Sequence, residues 1–329
     1  MSDVTIFAPS PILTVTVENS GDADEIHIHP GGQGVWQARM LQRLGVSVTM
    51  CCTLAGEVGQ VLRHLLEDDG VEVVGIERPG RASAYVQDRR GGERVEIGAE
   101  VGDPIPRHEL DELYGAVIRE GMRSRVVILS GPAAGDVLPP DTYRRLAADL
   151  RAAGCTVVVD LAGDRLDAVL EGGVDVLKVS DEEMRAHGLD DDAPPVIAAA
   201  MRSLRSRGAG TVIVTRAAES LLLLDGEGLA EITPPKLEVA DSRGAGDSLT
   251  AGVVAGMVRG ETPRGAITLG AAAGAMNVTR HGLGTGDAEA IAELRKRVRI
   301  APMADDDDAS STRVSPDGLA SLADTEEQR

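Results

Sequence analysis

Aromatic residues, cysteines and long apolar segments are all scarce in this sequence of 329 residues. Aromatics make up 2% of the chain, so any core has to be built from Val, Leu, Ile and Ala. The three cysteines form no CxxC or Cys/His cluster, a pattern that indicates neither a disulfide framework nor a zinc site. No apolar stretch approaches the roughly 20 residues that a transmembrane helix needs. The composition therefore predicts a globular protein.

Positive charge is also in short supply, because 33 Lys and Arg face 53 Asp and Glu and the formal net charge is −20. A negative field of this size repels nucleic-acid phosphates and anionic lipids, which argues against nucleic-acid and membrane partners. An anionic substrate would require a locally positive pocket. The N-terminal segment MSDVTIFAPS lacks a basic region followed by an apolar run, so it is not a signal peptide and we expect a cytoplasmic protein.

Short apolar runs rich in β-branched residues alternate with amphipathic helical patterns along most of the chain. Continuous runs of this kind are typical of strands buried on both faces of a parallel sheet. The alternation predicts an α/β fold with helices on both faces of that sheet. Strands are predicted at 46–52, 126–130, 155–160, 175–180 and 211–215, and helices at 34–44, 57–69, 107–121, 139–153, 181–187 and 194–207.

Two regions have a different pattern, in which apolar and polar residues alternate with a period of two. They cover about 12–30 and about 82–100, and Gly91-Gly92 divides the second region. This pattern predicts antiparallel hairpins with one exposed face, and we expect them to form a small β lid that is discontinuous in sequence.

The last third of the chain has its own composition. Residues 246–299 are helical in pattern and rich in Gly and Ala, which let helices approach each other and a ligand closely. Beyond about residue 300 the chain becomes acidic and polar, with eight acids and two bases in 301–329. We expect one folded domain over 1–300 and a disordered tail over 301–329.

The motif with the clearest chemistry is DSRGAGDSLTAG at 241–252. Gly244, Ala245 and Gly246 would present free backbone N–H groups at a helix N-terminus, where anions bind. Asp247 would lie in the first helical turn, and a carboxylate beside a transferring phosphate can act as the base that accepts a hydroxyl proton. The alternative is a glycine-rich turn in which an aspartate only caps a helix.

With four other segments in order, this motif resembles the ribokinase (PfkB) family of carbohydrate kinases, most closely its 1-phosphofructokinase and tagatose-6-phosphate kinase branch. The resemblance covers residues 4–299 and implies a ribokinase-like three-layer α/β/α sandwich with a mostly parallel central sheet and a small β lid. The other segments are PGGQGVWQARMLQRLG (30–45), 129–163, DVLKVSDEEM (175–184) and VIVTRAAES (212–220).

The resemblance implies that the chain uses ATP and Mg²⁺, with Asp247 as catalytic base and Gly244, Ala245 and Gly246 as an anion hole. Glu183 would order Mg²⁺ through water, and Ser180 stands where the family has Asn. Arg243 could reach a nucleotide phosphate or lie at the surface. The implied nucleotide-binding residues are Lys178, Ser180, Glu183, Thr215, Arg216, Ala217, Ala218, Glu219, Ser220, Arg243, Ala271 and Ala275.

The substrate side departs from the family pattern. Thr14 replaces an Asp, Gln33 a Lys, Trp36 an Asn and Pro132 a Ser, whereas Arg81 matches an arginine that contacts the substrate phosphate. Trp36 is either a stacking platform or a core residue, because it shares a helical face with Met40 and Leu44. The implied substrate-binding residues are Thr14, Gly31, Gly32, Gln33, Trp36, Arg81 and Ser130.

Some lid residues have simpler interpretations. Arg89 and Arg90 lie near the Gly-Gly turn, where a solvated hairpin tip is favoured over a phosphate clamp. His27 and His29 alternate on one predicted strand, but no third metal ligand is evident.

These patterns predict an ATP-dependent kinase for a hydroxyl group of a sugar or sugar phosphate. A nucleoside or polyol kinase and a non-catalytic binding relative remain open. A dinucleotide oxidoreductase is disfavoured, because no G-x-G-x-x-G opens a βαβ unit, and no P-loop motif is present. We expect a homodimer that forms through the lid, because pairing would bury exposed sheet edges.

Overall fold

The computed structural model describes residues 1–303 except 22, 134, 190, 218 and 281. The strands are β1 (Val4–Phe7), β2 (Ile12–Ser20), β3 (Ala23–Gly31), β4 (Val48–Ala55), β5 (Glu72–Arg78), β6 (Ser83–Asp88), β7 (Val95–Glu100), β8 (Val126–Ser130), β9 (Thr156–Asp160), β10 (Val174–Ser180), β11 (Ala209–Thr215), β12 (Leu221–Asp225), β13 (Gly228–Thr233) and β14 (Arg299–Pro302). The helices are α1 (Gln33–Arg43), α2 (Gly56–Asp68), α3 (Arg107–Gly121), α4 (Asp141–Ala152), α5 (Gly163–Gly172), α6 (Asp181–Ala186), α7 (Pro194–Ser206), α8 (Ala245–Val258), α9 (Pro263–Asn277) and α10 (Ala288–Arg295).

The larger of two sheets has the strand order β14-β13-β12-β11-β10-β9-β8-β1-β4-β5. The strands from β11 to β5 run parallel, and β12, β13 and β14 continue the sheet antiparallel. Because parallel strands share one direction, their carboxyl ends meet at the same edge, where ligands bind in open α/β sheets.

Two separate cores cover the faces of this sheet and make three layers. Within β8, Val126 and Ile128 belong to one core, whereas Val127 and Leu129 belong to the other, as the two-residue period of a strand requires. The helices α1, α2, α8 and α9 pack in the first core, and α3, α4, α5 and α7 pack in the second. The predicted α/β/α sandwich with a mostly parallel sheet is confirmed.

The smaller sheet has the order β3-β2-β6-β7 and is built from two antiparallel hairpins. Strands β2 and β6 join the hairpins by parallel pairing, which places Thr14 opposite Tyr85 and Thr16 opposite Gln87. Gly92 supplies a positive φ of 85° in the turn of the second hairpin. The sheet lies over the carboxyl edge of the large sheet, where α2 contacts both β2 and β3.

The side chains of the small sheet divide as the period-two pattern predicts. Polar side chains of β2, β3 and β6 face a cavity, whereas the other face carries Ile26 and Ile28, which are 66% and 52% exposed. In the part of the chain that the structure describes, no helix is both long and apolar enough to cross a membrane.

Several elements were not predicted from the sequence. They are β1, β5, α5 and the antiparallel strands β12 to β14. Strand β1 has four residues and β12 is a run of leucines without β-branched residues, so neither gives a distinct periodic signal. Residues 301 and 302 pair with β13, so the folded chain continues past residue 300. Residues 304–329, on which the tail prediction depends, lie outside the described residues.

Candidate active site

The glycine motif forms the turn that begins α8. Gly244 is the N-cap with φ 69° and ψ 2°, a left-handed conformation that favours glycine. Asn277 of α9 fixes the turn, because its Nδ2 donates to the Arg243 carbonyl at 2.7 Å and its Oδ1 accepts from the Gly284 N–H at 3.0 Å. The first N–H groups of α8 are therefore held in place at a helix N-terminus.

Asp247 lies in the first turn of α8 and is buried. Burial, the neighbouring Asp160 carboxylate and Glu183 together raise the pKa of Asp247 to about 8, although Lys178 opposes the shift. In its ionised form, a carboxylate with a raised pKa is a stronger base than an ordinary aspartate.

Lys178 and Asp160 form a buried ion pair next to Asp247. They are register partners on β10 and β9, and Lys178 Nζ donates to Asp160 Oδ1 at 3.1 Å. Thr250 Oγ of α8 donates to the other carboxylate oxygen at 3.1 Å. Burial opposes the charge of the ammonium, but three carboxylates around it outweigh burial and raise the pKa of Lys178.

Gly246 is the point where α8 meets this ion pair. A Cβ atom built on Gly246 would lie 2.8 Å from Lys178 Nζ, closer than carbon and nitrogen approach in proteins. The glycine therefore lets the ammonium lie directly against the helix N-terminus, where both would face the same anion.

Ser180 and Glu183 form a reciprocal cap on α6. Ser180 Oγ accepts from the Glu183 N–H at 3.1 Å, and Glu183 Oε2 accepts from the Ser180 N–H at 2.7 Å. This capping box fixes the position of the Glu183 carboxylate. The charge of Glu183 contributes to the raised pKa of both Lys178 and Asp247, so the carboxylate lies near both groups.

The predicted nucleotide loop follows β11 at Thr215. Arg216 is buried, and its Nε donates to the Ser220 backbone carbonyl at 2.7 Å while its Nη2 donates to Ser220 Oγ at 2.6 Å. It also pairs with Glu219 at 3.1 Å, so Arg216 holds the loop rather than facing solvent. Ala217 has φ 40°, unusual for a residue with a side chain. Ala218 lies outside the described residues.

The remaining nucleotide candidates lie around α8 and α9. Ala271 is fully enclosed in the core and Ala275 is half-buried. Arg243 is half-exposed and donates through Nε and Nη2 to Asp241, at 3.1 and 3.0 Å. Its guanidinium therefore lies beside the turn, paired with a carboxylate.

A cavity of about 320 Å³ lies between the small sheet and the body of the protein. Among the predicted substrate residues, Thr14 and Trp36 line it. Leu283 connects the cavity to the glycine turn, because a Cβ on Gly244 would lie 3.5 Å from its side chain. The full lining is Thr14, Thr16, Glu18, His27, His29, Trp36, Arg39, Tyr85, Gln87, Arg89, Arg94, Gly282, Leu283 and Thr285.

The other predicted substrate residues form a seam between α1 and the segment after β8. Gln33 Oε1 accepts from the Gly131 N–H at 2.9 Å, and Ser130 Oγ donates to Gln37 Oε1 at 2.6 Å. A Cβ on Gly32 would lie 2.9 Å from Ala133. Gly31 adjoins this seam, since a Cβ there would lie 3.0 Å from Thr14 Oγ.

Arg81 lies apart from these residues. It pairs with Asp103 at 3.0 Å and Glu100 at 3.5 Å, its side chain is 66% exposed, and it does not line the cavity. By contrast Arg89, expected at a solvated hairpin tip, is 17% exposed and lines the cavity. The turn itself, from Arg90 to Glu93, is exposed as predicted, and Arg90 pairs there with Asp24 and Asp88. Of these two arginines, only Arg89 is directed towards the site.

The profile of pfkB family carbohydrate kinases matches residues 8–290. The chain belongs to this family. It is 27% identical to the 1-phosphofructokinase of Bacillus subtilis over 280 residues, covering 83% of this chain and 88% of that protein. It is 30% identical to the ATP-dependent 6-phosphofructokinase isozyme 2 of Mycobacterium tuberculosis over 257 residues, covering 75% and 73% of the two chains.

The fold agrees with solved structures of this family. Phosphofructokinase-2 from Escherichia coli in complex with potassium superposes with a TM-score of 0.80 at 20% identity, covering 90% of this chain and 99% of that one. The predicted family and fold class are thus confirmed, and the pfkB-family chain is a carbohydrate kinase. Kinases of this family use ATP and typically Mg²⁺.

Asp160 is the site residue that the sequence did not reveal. It ends the predicted strand at 155–160, and a carboxylate at the carboxyl end of a buried parallel strand is the signal that could have found it. In this pfkB-family kinase the residue is fully buried and bound by Lys178 and Thr250.

Proposed function

We propose that this kinase transfers the γ-phosphoryl group of ATP to a hydroxyl group of a sugar or sugar phosphate, with Asp247 as the catalytic base. The observation that supports this function most directly is the position of Asp247. It is a buried carboxylate with a raised pKa in the first turn of a helix whose N–H groups are fixed by Asn277.

The proposed step follows from these positions. The acceptor hydroxyl gives its proton to Asp247, its oxygen bonds to the γ-phosphorus, and the bond to the bridging oxygen of ADP breaks. Negative charge on the transferring phosphoryl group is stabilised by the N–H groups of the Gly244–Asp247 turn and by Lys178. The small sheet covers the acceptor and excludes water that would otherwise hydrolyse ATP.

The acidic residues around Lys178 fit a magnesium ion that is bound mainly through phosphate oxygens and water. Asp160 and Glu183 both raise the pKa of Asp247, so these carboxylates repel one another and a cation would relieve that repulsion. Among the described residues no three His, Cys, Asp or Glu side chains converge to hold a metal directly. Mg²⁺ would neutralise the phosphate charge there, and Glu183 and Asp160 would hold its water shell.

The exposed face of the small sheet supports a homodimer. Ile26 and Ile28 lie on its outer face, and Ile28 is opposite Val15 in the sheet register. A second copy of this sheet would cover these residues. Sedimentation of the whole protein tests this: we expect a dimer, and Ile28→Glu should give a monomer.

Release of ADP with ATP and Mg²⁺ over a panel of sugars, sugar phosphates and nucleosides tests the function. We expect one acceptor class to stimulate turnover and Asp247→Asn to reduce it by about 10²–10⁴-fold. Asp225→Asn is the matched control, because Asp225 is also buried but binds Arg264 at the far end of β12. Retention of turnover in Asp247→Asn, or equal loss in both variants, would exclude Asp247 as the base.

A further inference from the structure

The turn between β6 and β7 is joined to the body of the protein by one arginine. Arg94 Nη2 donates to the Asp241 carboxylate at 2.8 Å, across 147 residues of sequence. Arg89 and Arg90 of the same turn instead pair with carboxylates of the small sheet itself. Among the described residues, Arg94 is therefore the one side chain of this turn that hydrogen-bonds to a residue outside the sheet.

The Asp241 end of this ion pair belongs to a loop that is held against α9. The N–H groups of Ala240 and Asp241 both donate to the Val278 carbonyl, at 2.7 and 3.1 Å. Two residues further on, Asn277 Nδ2 donates to the Arg243 carbonyl at 2.7 Å. The turn that holds the proposed base follows directly, so Asp241 has a fixed position relative to that turn.

The Asp241 carboxylate lies between two guanidinium groups. Besides Arg94, it accepts from Arg243, whose Nε and Nη2 donate at 3.1 and 3.0 Å. The Arg94 side chain is 17% exposed and that of Asp241 is 10% exposed, so both charges are largely removed from water. Burial, followed by the charges of Arg243 and Arg89, lowers the pKa of Arg94. Loss of the carboxylate would leave these cations facing one another without a partner.

The ion pair fixes the free end of the second hairpin of the small sheet. The other end connects to the body through residues 79–82 and 101–106, and Asp103 ties these connections together by accepting from the Arg81 N–H at 2.9 Å. The cavity lies beneath the hairpin, lined by Tyr85 and Arg94 from the hairpin and by Trp36 from α1. A hairpin held at both ends keeps this cavity covered on the side of the glycine turn.

We propose that Arg94 and Asp241 are positioning residues for phosphoryl transfer, because their ion pair holds the small sheet onto the glycine turn and so keeps the acceptor hydroxyl against Asp247. Neither side chain takes part in the chemical step. This inference rests on the proposed function, since it gives the ion pair a role in the same transfer. Transfer to the acceptor needs the closed cavity, whereas transfer to water does not.

Trp36 gives a measurement of closure that does not depend on activity. It is the single tryptophan of the chain, is half-buried and lines the cavity. Acrylamide quenching of its fluorescence therefore measures how accessible the cavity is to a small solute. We expect stronger quenching in Arg94→Gln and in Asp241→Asn than in wild type, without ATP or acceptor present.

Arg90→Gln is the matched control for these variants. Arg90 lies in the same turn and also pairs with two carboxylates, but both of them, Asp24 and Asp88, belong to the small sheet. Its loss removes an arginine and its ion pairs without releasing the hairpin from the body. We expect Arg90→Gln to show wild-type quenching, and thermal melting shows whether each variant is folded.

Kinetics test the role in transfer, using the acceptor that stimulates ADP release most. Loss of one charge-assisted hydrogen bond in Arg94→Gln should raise KM for the acceptor by about 10-fold. The ratio of ADP released without acceptor to ADP released with it should rise by a similar factor. Arg94→Lys should restore part of both values by returning the charge. The double variant Arg94→Gln/Asp241→Asn should be no more impaired than Asp241→Asn, because the two residues act through one bond.

Equal quenching of Trp36 in wild type, Arg94→Gln and Asp241→Asn would overturn the inference. Equal effects of Arg94→Gln and Arg90→Gln would do the same, as would a fall in kcat with no change in acceptor KM or in the hydrolysis ratio. Failure of the proposed function is seen separately. If no acceptor stimulates ADP release but Arg94→Gln still exposes Trp36 to acrylamide, the kinase reaction is refuted and the ion pair still closes the cavity.

Discussion

Asp247→Asn is expected to stabilise the folded protein at neutral pH while it removes activity. In the native structure, burial and the repulsion of Asp160 raise the pKa of Asp247 from 3.8 to about 8. In the unfolded chain the same carboxyl titrates near its ordinary value. At pH 7 the folded protein therefore holds a proton that the unfolded chain has released. Asparagine is uncharged in both the folded and the unfolded protein, so the variant has no such difference in bound protons.

The size of the effect follows from proton linkage. The native state binds more protons than the unfolded state between about pH 4 and pH 8, so its free energy of unfolding falls as pH rises through that window. The slope is about 1.4 kcal/mol per pH unit for one group. The pKa of about 8 already includes the opposing charge of Lys178. We therefore expect Asp247→Asn to be about 2–4 kcal/mol more stable than wild type at pH 7.

Urea unfolding of both proteins at pH 4, 7 and 8 measures this prediction. The advantage of the asparagine variant should be small at pH 4 and grow towards pH 8. Asp225→Asn is the control, because it removes a buried carboxylate that accepts from Arg264 at 3.2 Å. That variant should be less stable by about 1–3 kcal/mol. A less stable Asp247→Asn at pH 7, or an advantage independent of pH, would show that Asp247 is ionised in the folded protein.

Three further outcomes are expected. Asp160→Asn should move the acid limb of kcat/KM to lower pH, because it removes repulsion that raises the pKa of the base; a pH profile of turnover measures this. Gly246→Ala should lower kcat by about 10²-fold, because the methyl group displaces Lys178 Nζ, which lies 2.8 Å from it. Its matched control is Gly115→Ala, in open space on α3, which should keep kcat and stabilise the protein by about 0.5–1 kcal/mol. A chain that ends after residue 303 should keep wild-type turnover in the same assay.

Each of these outcomes has a clear opposite. An unchanged acid limb in Asp160→Asn would mean that the charge of Asp160 does not raise the pKa of Asp247. Equal kcat in the two Gly→Ala variants would mean that Lys178 takes no part in phosphoryl transfer. Loss of turnover after truncation would mean that residues 304–329 contribute to the site.

The sequence predicted the elements whose signal is local. Helix α4 places Tyr143, Leu146, Ala147 and Leu150 in the core at helical spacing, and β8 is a continuous buried run. The predicted hairpins of the small sheet show the polar and apolar faces that period-two alternation requires. Such patterns depend only on neighbours along the chain, so they survive any tertiary arrangement.

Single side chains were harder to predict than elements. Trp36 had two interpretations, and the structure combines them, since it is half-buried and also lines the cavity. Arg89 was expected in solvent, and its pairing with Glu18 across the small sheet brings it inward. A local pattern of residue types does not show whether a long side chain will be buried by a strand that is distant in sequence.

The sequence by itself determined the glycine turn, the helix that follows it and the place of Asp247 in the first turn, because these depend on contiguous residues and backbone conformation. Only the tertiary structure decided what surrounds Asp247 and what lines the cavity. Asp160 and Lys178 meet because β9 and β10 pair in register. Arg94 meets Asp241 across 147 residues of sequence, a contact that chain folding creates and no local pattern encodes.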